Sequence, residues 1–122
     1  QPRVKESFVD LLIKSKEKNK INKTNTYYKV LAYNQNTSFI KFEPSTGKKH
    51  QLRIVAKNLW CPIVGDIKYN LNKTKKKENL KLNAFKLEFI VNNNEFNFES
   101  RIPKDFTDYL RLKNIKFKYK TI

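Results

Sequence analysis

PSTGKKHQLRIVAKNLWCPIVGDIKY, residues 44–69, is the stretch around which the reading of this 122-residue chain is organised. Both glycines of the chain, Gly47 and Gly65, lie in it, with the only histidine (His50), the only tryptophan (Trp60), the only cysteine (Cys61) and two of the four prolines. An average composition would supply about eight or nine glycines at this length. Their scarcity elsewhere marks Gly47 and Gly65 as positions where the backbone demands positive φ or a close approach.

Within the stretch, Ser45-Thr46-Gly47 reads as a turn and the residues after it as a helix. At about 100° per residue, Leu52, Val55, Ala56 and Leu59 share one face, with Arg53 on its flank and Lys49 and Lys57 one turn away on either side. Lys48, Lys49 and His50 fall in the expected first turn, where the helix dipole disfavours cations. Positive side chains around free amide groups make sense if an anion such as a phosphate sits there. Residues 61–66 form an apolar turn closed by Gly65, and Asp66 is placed to bond its own backbone. Cys61, between Trp60 and Pro62, reads as a small buried hydrophobe rather than a nucleophile or ligand.

Outward from this stretch, period-two runs dominate. TYYKVLAYN (26–34) and TSFIKFEP (37–44), split by Gln35-Asn36, predict a β-hairpin that Pro44 ends. Upstream, residues 14–25 are almost purely polar and read as an exposed connection. Downstream, residues 70–79 form a lysine-rich loop, 81–91 and 96–100 a second hairpin about a turn at 92–95, and Pro103 opens a helix in which Phe106, Tyr109 and Leu110 share a face. The tail alternates Ile115, Phe117 and Tyr119 against Lys116, Lys118 and Lys120, as an edge strand would. The expected fold is α+β: a mixed or antiparallel sheet with a few helices, in a single domain over residues 1–122.

The formal charge is +16, from 27 Lys and Arg against 11 Asp and Glu. That balance points to a polyanionic partner, nucleic acid above all. Lysine's excess over arginine also fits a compositional bias that leaves many lysines merely solvated. One cysteine excludes an internal disulfide and suits a reducing intracellular compartment: cytoplasm, mitochondrion or plastid. No apolar run approaches the roughly 20 residues of a membrane span. The chain has no methionine and opens on Gln1-Pro2, as a processed or excised piece of a longer protein would.

No cluster of cysteine and histidine is spaced for zinc, no glycine loop of the Walker type cradles a phosphate, and only one histidine is present for a triad. The residues alone lead to a basic α+β domain that binds RNA or DNA, and to no reaction.

The same stretch resembles the signature of the RluA-type RNA pseudouridine synthases. Thr46, Gly47, Lys48, His50, Gln51, Leu52 and Arg53 match its first block, and Pro62, Ile63, Gly65, Asp66 and Tyr69 its second, at the family's separation. The flanks are similar too: Thr26 and Tyr28 in a strand, LKLNAFKLEF with Asn83 in place of a histidine, and FESRIPKDF. The likeness runs over roughly residues 24–110, and implies the C-terminal half of the pseudouridine synthase catalytic fold.

The resemblance implies isomerisation of uridine in structured RNA, ribosomal or transfer, without metal or cofactor. Its nucleophile is an aspartate of an Arg-Leu-Asp motif that this chain does not contain. The implied partners are RNA and a missing N-terminal half, and the piece alone is expected to be inactive. Arg53 matches the arginine that ion-pairs with that aspartate, a task suited to a planar, permanently charged fork. Lys48, Lys49, His50, Gln51 and Lys57 are the RNA-binding candidates, with His50 open to either substrate contact or ordinary packing. Thr46, Gly47, Leu52, Pro62, Gly65, Asp66 and Tyr69 make up the structural motif. The alternative is a basic RNA-binding module without catalysis.

Overall fold

The computed structural model describes residues 2–15, 19–70 and 79–116. In chain order the elements are β1 (Glu6–Ser15), β2 (Lys20–Tyr33), β3 (Ser38–Pro44), α1 (Gln51–Asn58), β4 (Lys86–Val91), β5 (Asn94–Glu99) and α2 (Lys104–Leu112). Strands β1, β2 and β3 form one antiparallel sheet in that order, and β4 pairs with β5 in a second. Both sheets are antiparallel and the fold is α+β, as the alternation predicts.

Of the segment expected to be an exposed connection, 14–25, residues 14–15 instead end β1 and residues 20–25 begin β2, paired with it. The register runs from Glu6↔Lys29 to Ser15↔Lys20. Polar side chains do not forbid a strand when the backbone ladder is satisfied and every second residue finds a partner. Thr24 and Thr26 are only 4% and 0% exposed. Thr24 Oγ1 donates to Leu11 O at 2.9 Å, so its burial leaves no hydroxyl unmet.

The sheet has one inner and one outer face, as period-two geometry requires. Val9, Thr26 and Pro44 lie in register on the inner face, as do Ser7, Tyr28 and Phe42. Tyr28 is buried there, its hydroxyl donating to Val4 O at 2.6 Å. Phe8 and Tyr27 make a ring pair on the outer, exposed face, their centroids 5.2 Å apart. A bulge between Val30 and Ala32 shifts the β2–β3 register before the turn, where Asn34 Oδ1 accepts from the amides of Asn36 and Thr37.

Helix α1 packs Val55 and Ala56 into the core with Ile63, while Leu59 caps its C-terminus half-buried. It begins at Gln51, so Lys48, Lys49 and His50 form the turn before it rather than its first turn. Cys61 is half-buried. Helix α2 buries Leu110 and the following Ile115, and its Phe106 meets Phe39 of β3 with ring centroids 6.0 Å apart. Asn34 Nδ2 also donates to Lys113 O, tying the β2 end to the close of α2.

The second hairpin starts at Lys86 rather than Lys81 and turns on two residues, Asn92 and Asn93, with φ of 51° and 63°. Two successive left-handed residues suit the primed turns that match strand twist, and asparagine tolerates them. Every residue of β4 and β5 is exposed. Leu87, Phe89, Phe96 and Phe98 share one face, and Phe89 stacks on both Phe96 and Phe98. The expected lysine loop and tail strand fall largely outside the described residues, at 71–78 and 117–122.

Candidate functional site

The turn at 44–50 and the start of α1 are held to the sheet by one side chain. Gln51, 3% exposed, accepts through Oε1 from Thr46 Oγ1 and from the Lys48 amide, both at 3.0 Å. Its Nε2 donates to Thr26 Oγ1 at 2.9 Å. Thr46 Oγ1 in turn accepts from the Asn25 amide at 3.1 Å. A buried amide with both ends engaged fixes the Thr-Gly turn against β2 and leaves neither end facing solvent. Gln51 therefore lies beneath the surface that Lys48 and Lys49 occupy, and Thr26 emerges as a site-supporting residue that the motif blocks do not include.

Arg53, in the first turn of α1, turns toward the 61–69 loop. Its Nε donates to Asp66 Oδ2 at 3.0 Å and its Nη2 to Asp66 Oδ1 at 2.7 Å. The Asp66 side chain is fully buried and that of Arg53 20% exposed. Asp66 also accepts from the amides of Lys68 at 3.1 Å and Tyr69 at 3.0 Å, as expected of a turn aspartate. The Arg53 hydrogen bond is the main reason its carboxyl titrates below the ordinary range, with the two amides adding to the effect against burial.

Tyr69 closes the group. Its ring lies 5.1 Å from the Arg53 guanidinium and 5.4 Å from Lys68 Nζ, and its hydroxyl is 3.1 Å from His50 Nδ1. His50 sits at the α1 N-cap with φ 56°. Partial burial, then the charges of Arg53, Lys68 and Lys49, lower its pKa, which favours the neutral ring. The first block and the second block thus meet in space as a cluster of His50, Arg53, Asp66 and Tyr69. The Arg53–Asp66 pairing is a contact that the blocks do not reveal.

The remaining candidates spread around this cluster. Lys48 and Lys49 are exposed before α1, and Lys57 is exposed in its last turn, favourably placed for the helix dipole. Leu52 and Pro62 are half-buried. Gly65 has φ 85°, and a side chain there would meet Asn79 O at 2.3 Å, so its requirement is genuine. Gly47 differs: its φ is not positive and nothing lies within 4 Å of where a Cβ would stand, so neither backbone reason holds there. Among the described residues no three His, Cys, Asp or Glu side chains gather as metal ligands would. No described helix is long and apolar enough to cross a membrane.

This chain can be set beside known proteins. A family model described as RNA pseudouridylate synthase matches residues 3–58, which takes in all of β1 as well as the first block. A Rickettsia felis protein described as ribosomal large subunit pseudouridine synthase C is 44% identical over 87 residues, covering 68% of this chain and 28% of its own length. A Borreliella burgdorferi protein described as ribosomal large subunit pseudouridine synthase D is 36% identical over 112 residues, covering 86% of this chain and 34% of its own length. The chain therefore spans about a third of these curated relatives. The solved structure of human RNA Pseudouridylate Synthase Domain Containing 4 superposes with a TM-score of 0.80 at 23% identity, over 97% of this chain and 60% of that one, which is a likeness of fold.

Proposed function

The chain belongs to the RluA-type RNA pseudouridine synthase family, and we propose that it forms one wall of an active site that isomerises uridine to pseudouridine in structured RNA. The observation that carries this reading is Arg53, fixed on one edge by Asp66 yet still partly open to solvent beside Tyr69, whose hydroxyl meets His50. A guanidinium oriented on one side presents its free donors on the other. There it can hold a second carboxylate, charged and aligned, in a partly desolvated site.

In this reading the second carboxylate is a nucleophilic aspartate carried by sequence outside residues 1–122, which together with this chain completes the catalytic domain. The aspartate assists detachment of the base. The bond from the ribose to N1 breaks, the base turns, a bond from the ribose to C5 forms, the C5 proton leaves to solvent and N1 takes up a proton. Taking the uridine out of its stack costs a few kcal/mol, offset by contacts to its neighbours. Lys48, Lys49 and Lys57 supply phosphate contacts to ribosomal or transfer RNA. His50 bears on the substrate through Tyr69, and Gln51 acts by holding the Thr46-Gly47 turn.

The test is tritium release from RNA labelled at uridine C5. The longer protein that includes the aspartate releases tritium, and residues 1–122 alone release none. Arg53→Lys in the longer protein loses turnover but keeps salt-sensitive RNA binding within a few fold, because one cationic contact changes affinity modestly. Full turnover in that variant overturns the role of Arg53, and a matching loss of binding makes it a docking residue instead.

A further inference from the structure

Helix α1 ends in a Schellman turn: the Trp60 amide donates to Lys57 O at 3.0 Å and the Cys61 amide to Ala56 O at 2.9 Å. That geometry puts Trp60 at the left-handed position with φ 60°, the place where glycine is favoured and a large side chain is strained. Helix α2 closes in the same way, with Asn114 amide to Arg111 O and Ile115 amide to Leu110 O, and there asparagine takes the left-handed position. Among the described residues the other left-handed non-glycine positions are Asn19, Asn92, Asn93 and His50. Asparagine thus fills four such sites, and His50 is tied into the Tyr69 cluster. Trp60 stands apart, because its side chain is 92% exposed and no described contact compensates the strain.

A lone exposed apolar side chain is ordinary on a protein surface. A tryptophan held outward on a strained backbone, where this chain elsewhere uses asparagine, needs an occupant. The charge around it selects one. From Lys48 to Tyr69 the sequence carries Lys48, Lys49, Arg53, Lys57 and Lys68 against a single acid, Asp66, which is buried against Arg53. Lys57, whose carbonyl receives the Trp60 amide, and Lys68 are both exposed. An exposed aromatic plane in a stretch of sequence with five Lys and Arg and one, buried, carboxylate suits a base attached to a phosphate chain, since every base has a face to stack and every phosphate a charge to neutralise.

We propose that Trp60 is a stacking platform for an unpaired base of the RNA, flanked by phosphate contacts from Lys57 and Lys68. This site deepens the RNA-modifying reading and rests on it for the partner, but its test needs no turnover. Trp60 is the only tryptophan of the chain, so its fluorescence reports directly on the site.

The experiment titrates the protein with unstructured oligoadenylate and oligouridylate, following tryptophan emission and, separately, anisotropy of a labelled strand. Saturable quenching that parallels binding is expected. Trp60→Gly should weaken binding about tenfold or more and Trp60→Phe much less, following the usual worth of base–aromatic stacking. Trp60→Gly should also raise the thermal midpoint by a few degrees, because it relieves the left-handed strain, whereas a structural tryptophan would lower it. The proposal is overturned by binding without quenching, by wild-type affinity in Trp60→Gly, by a lowered midpoint in that variant, or by no binding at all. Blue-shifted emission resistant to quenchers before RNA is added overturns it as well, since that would place the indole in an apolar protein contact. Quenching in a longer protein that forms no pseudouridine would sink the enzymatic reading and leave this site standing.

Discussion

Arg53 and Asp66, thirteen residues apart in sequence, meet through two parallel hydrogen bonds of 3.0 and 2.7 Å, with the carboxylate fully buried and the guanidinium partly open. Such a fork fixes the guanidinium plane, which a single contact would leave free to rotate. Its energetic consequence is asymmetric: the pair gains little over a well-packed apolar substitute, yet losing one member strands the other.

Asp66→Asn is accordingly expected to destabilise the fold by about 3 kcal/mol, the lower end for a broken buried pair because Arg53 can turn to water. The pH dependence follows from the lowered carboxyl pKa. A group depressed in the folded state contributes stability that is fully present above its unfolded value of about 3.9 and is lost as pH falls through the folded value beneath it. Urea unfolding between pH 5 and pH 2, on the order of the window in which such a carboxylate titrates, should show a steep acid limb that flattens in Asp66→Asn. An unchanged limb would remove Asp66 from the account.

Gln51→Ala removes the amide that joins Thr46, the Lys48 amide and Thr26. Leaving buried donors and acceptors unmet costs about 1–3 kcal/mol for each group that water cannot reach. A loss of about 2–4 kcal/mol in urea unfolding is expected, with an unchanged slope against denaturant. A loss below about 0.5 kcal/mol, ordinary for a surface substitution, would mean that the network is not cooperative.

The two glycines should respond in opposite ways. Gly65→Ala forces a Cβ to 2.3 Å from the Asn79 carbonyl oxygen, on a backbone already at φ 85°. A cost of about 2 kcal/mol or more is expected, by strain and displacement of backbone. Gly47→Ala meets nothing within 4 Å and should change stability by less than about 0.5 kcal/mol. Thermal unfolding of the two variants decides it, and equal losses would contradict the geometry.

His50 should titrate below its ordinary value of about 6.5, and ring-proton chemical shifts against pH measure it directly. Partial burial is the first cause, followed by Arg53, Lys68 and Lys49, with Asp66 pulling the other way. Lys49→Ala combined with Lys68→Ala should move the midpoint upward. Because the folded state disfavours the protonated ring, the unfolded chain takes up the proton first, and stability falls as pH drops through about 6.5. A midpoint above that value would reverse the sign.

The antiparallel hairpins and the helix after Gly47 were legible because alternation and helical spacing follow from backbone geometry alone. The strand through residues 20–25 was not, because KINKTN offers no apolar alternation. Its order comes from pairing with Leu11, Leu12 and Ile13, which lie nine to thirteen positions from their partners. The site was legible as two blocks of residue types but not as contacts. Nothing in the spacing of Arg53 and Asp66 states that one fills the other, and nothing local says that Gln51 reaches back to Thr26. The left-handed Trp60 lay hidden for the opposite reason: composition marks it as rare, whereas its strain belongs to the way the helix ends.

The hairpin of β4 and β5 has a consequence for how the molecule opens. Its cross-strand amides are shielded by two strands and stacked phenylalanines, with no third strand beside them among the described residues. A lone hairpin is marginally stable in water. Its amide protons should therefore exchange with solvent through local opening, on a shorter timescale than those of β2, which is bonded on both edges. The protein then comprises two cooperative units of unequal lifetime. The tighter unit holds the Arg53 cluster, and the looser one can unzip without disturbing it.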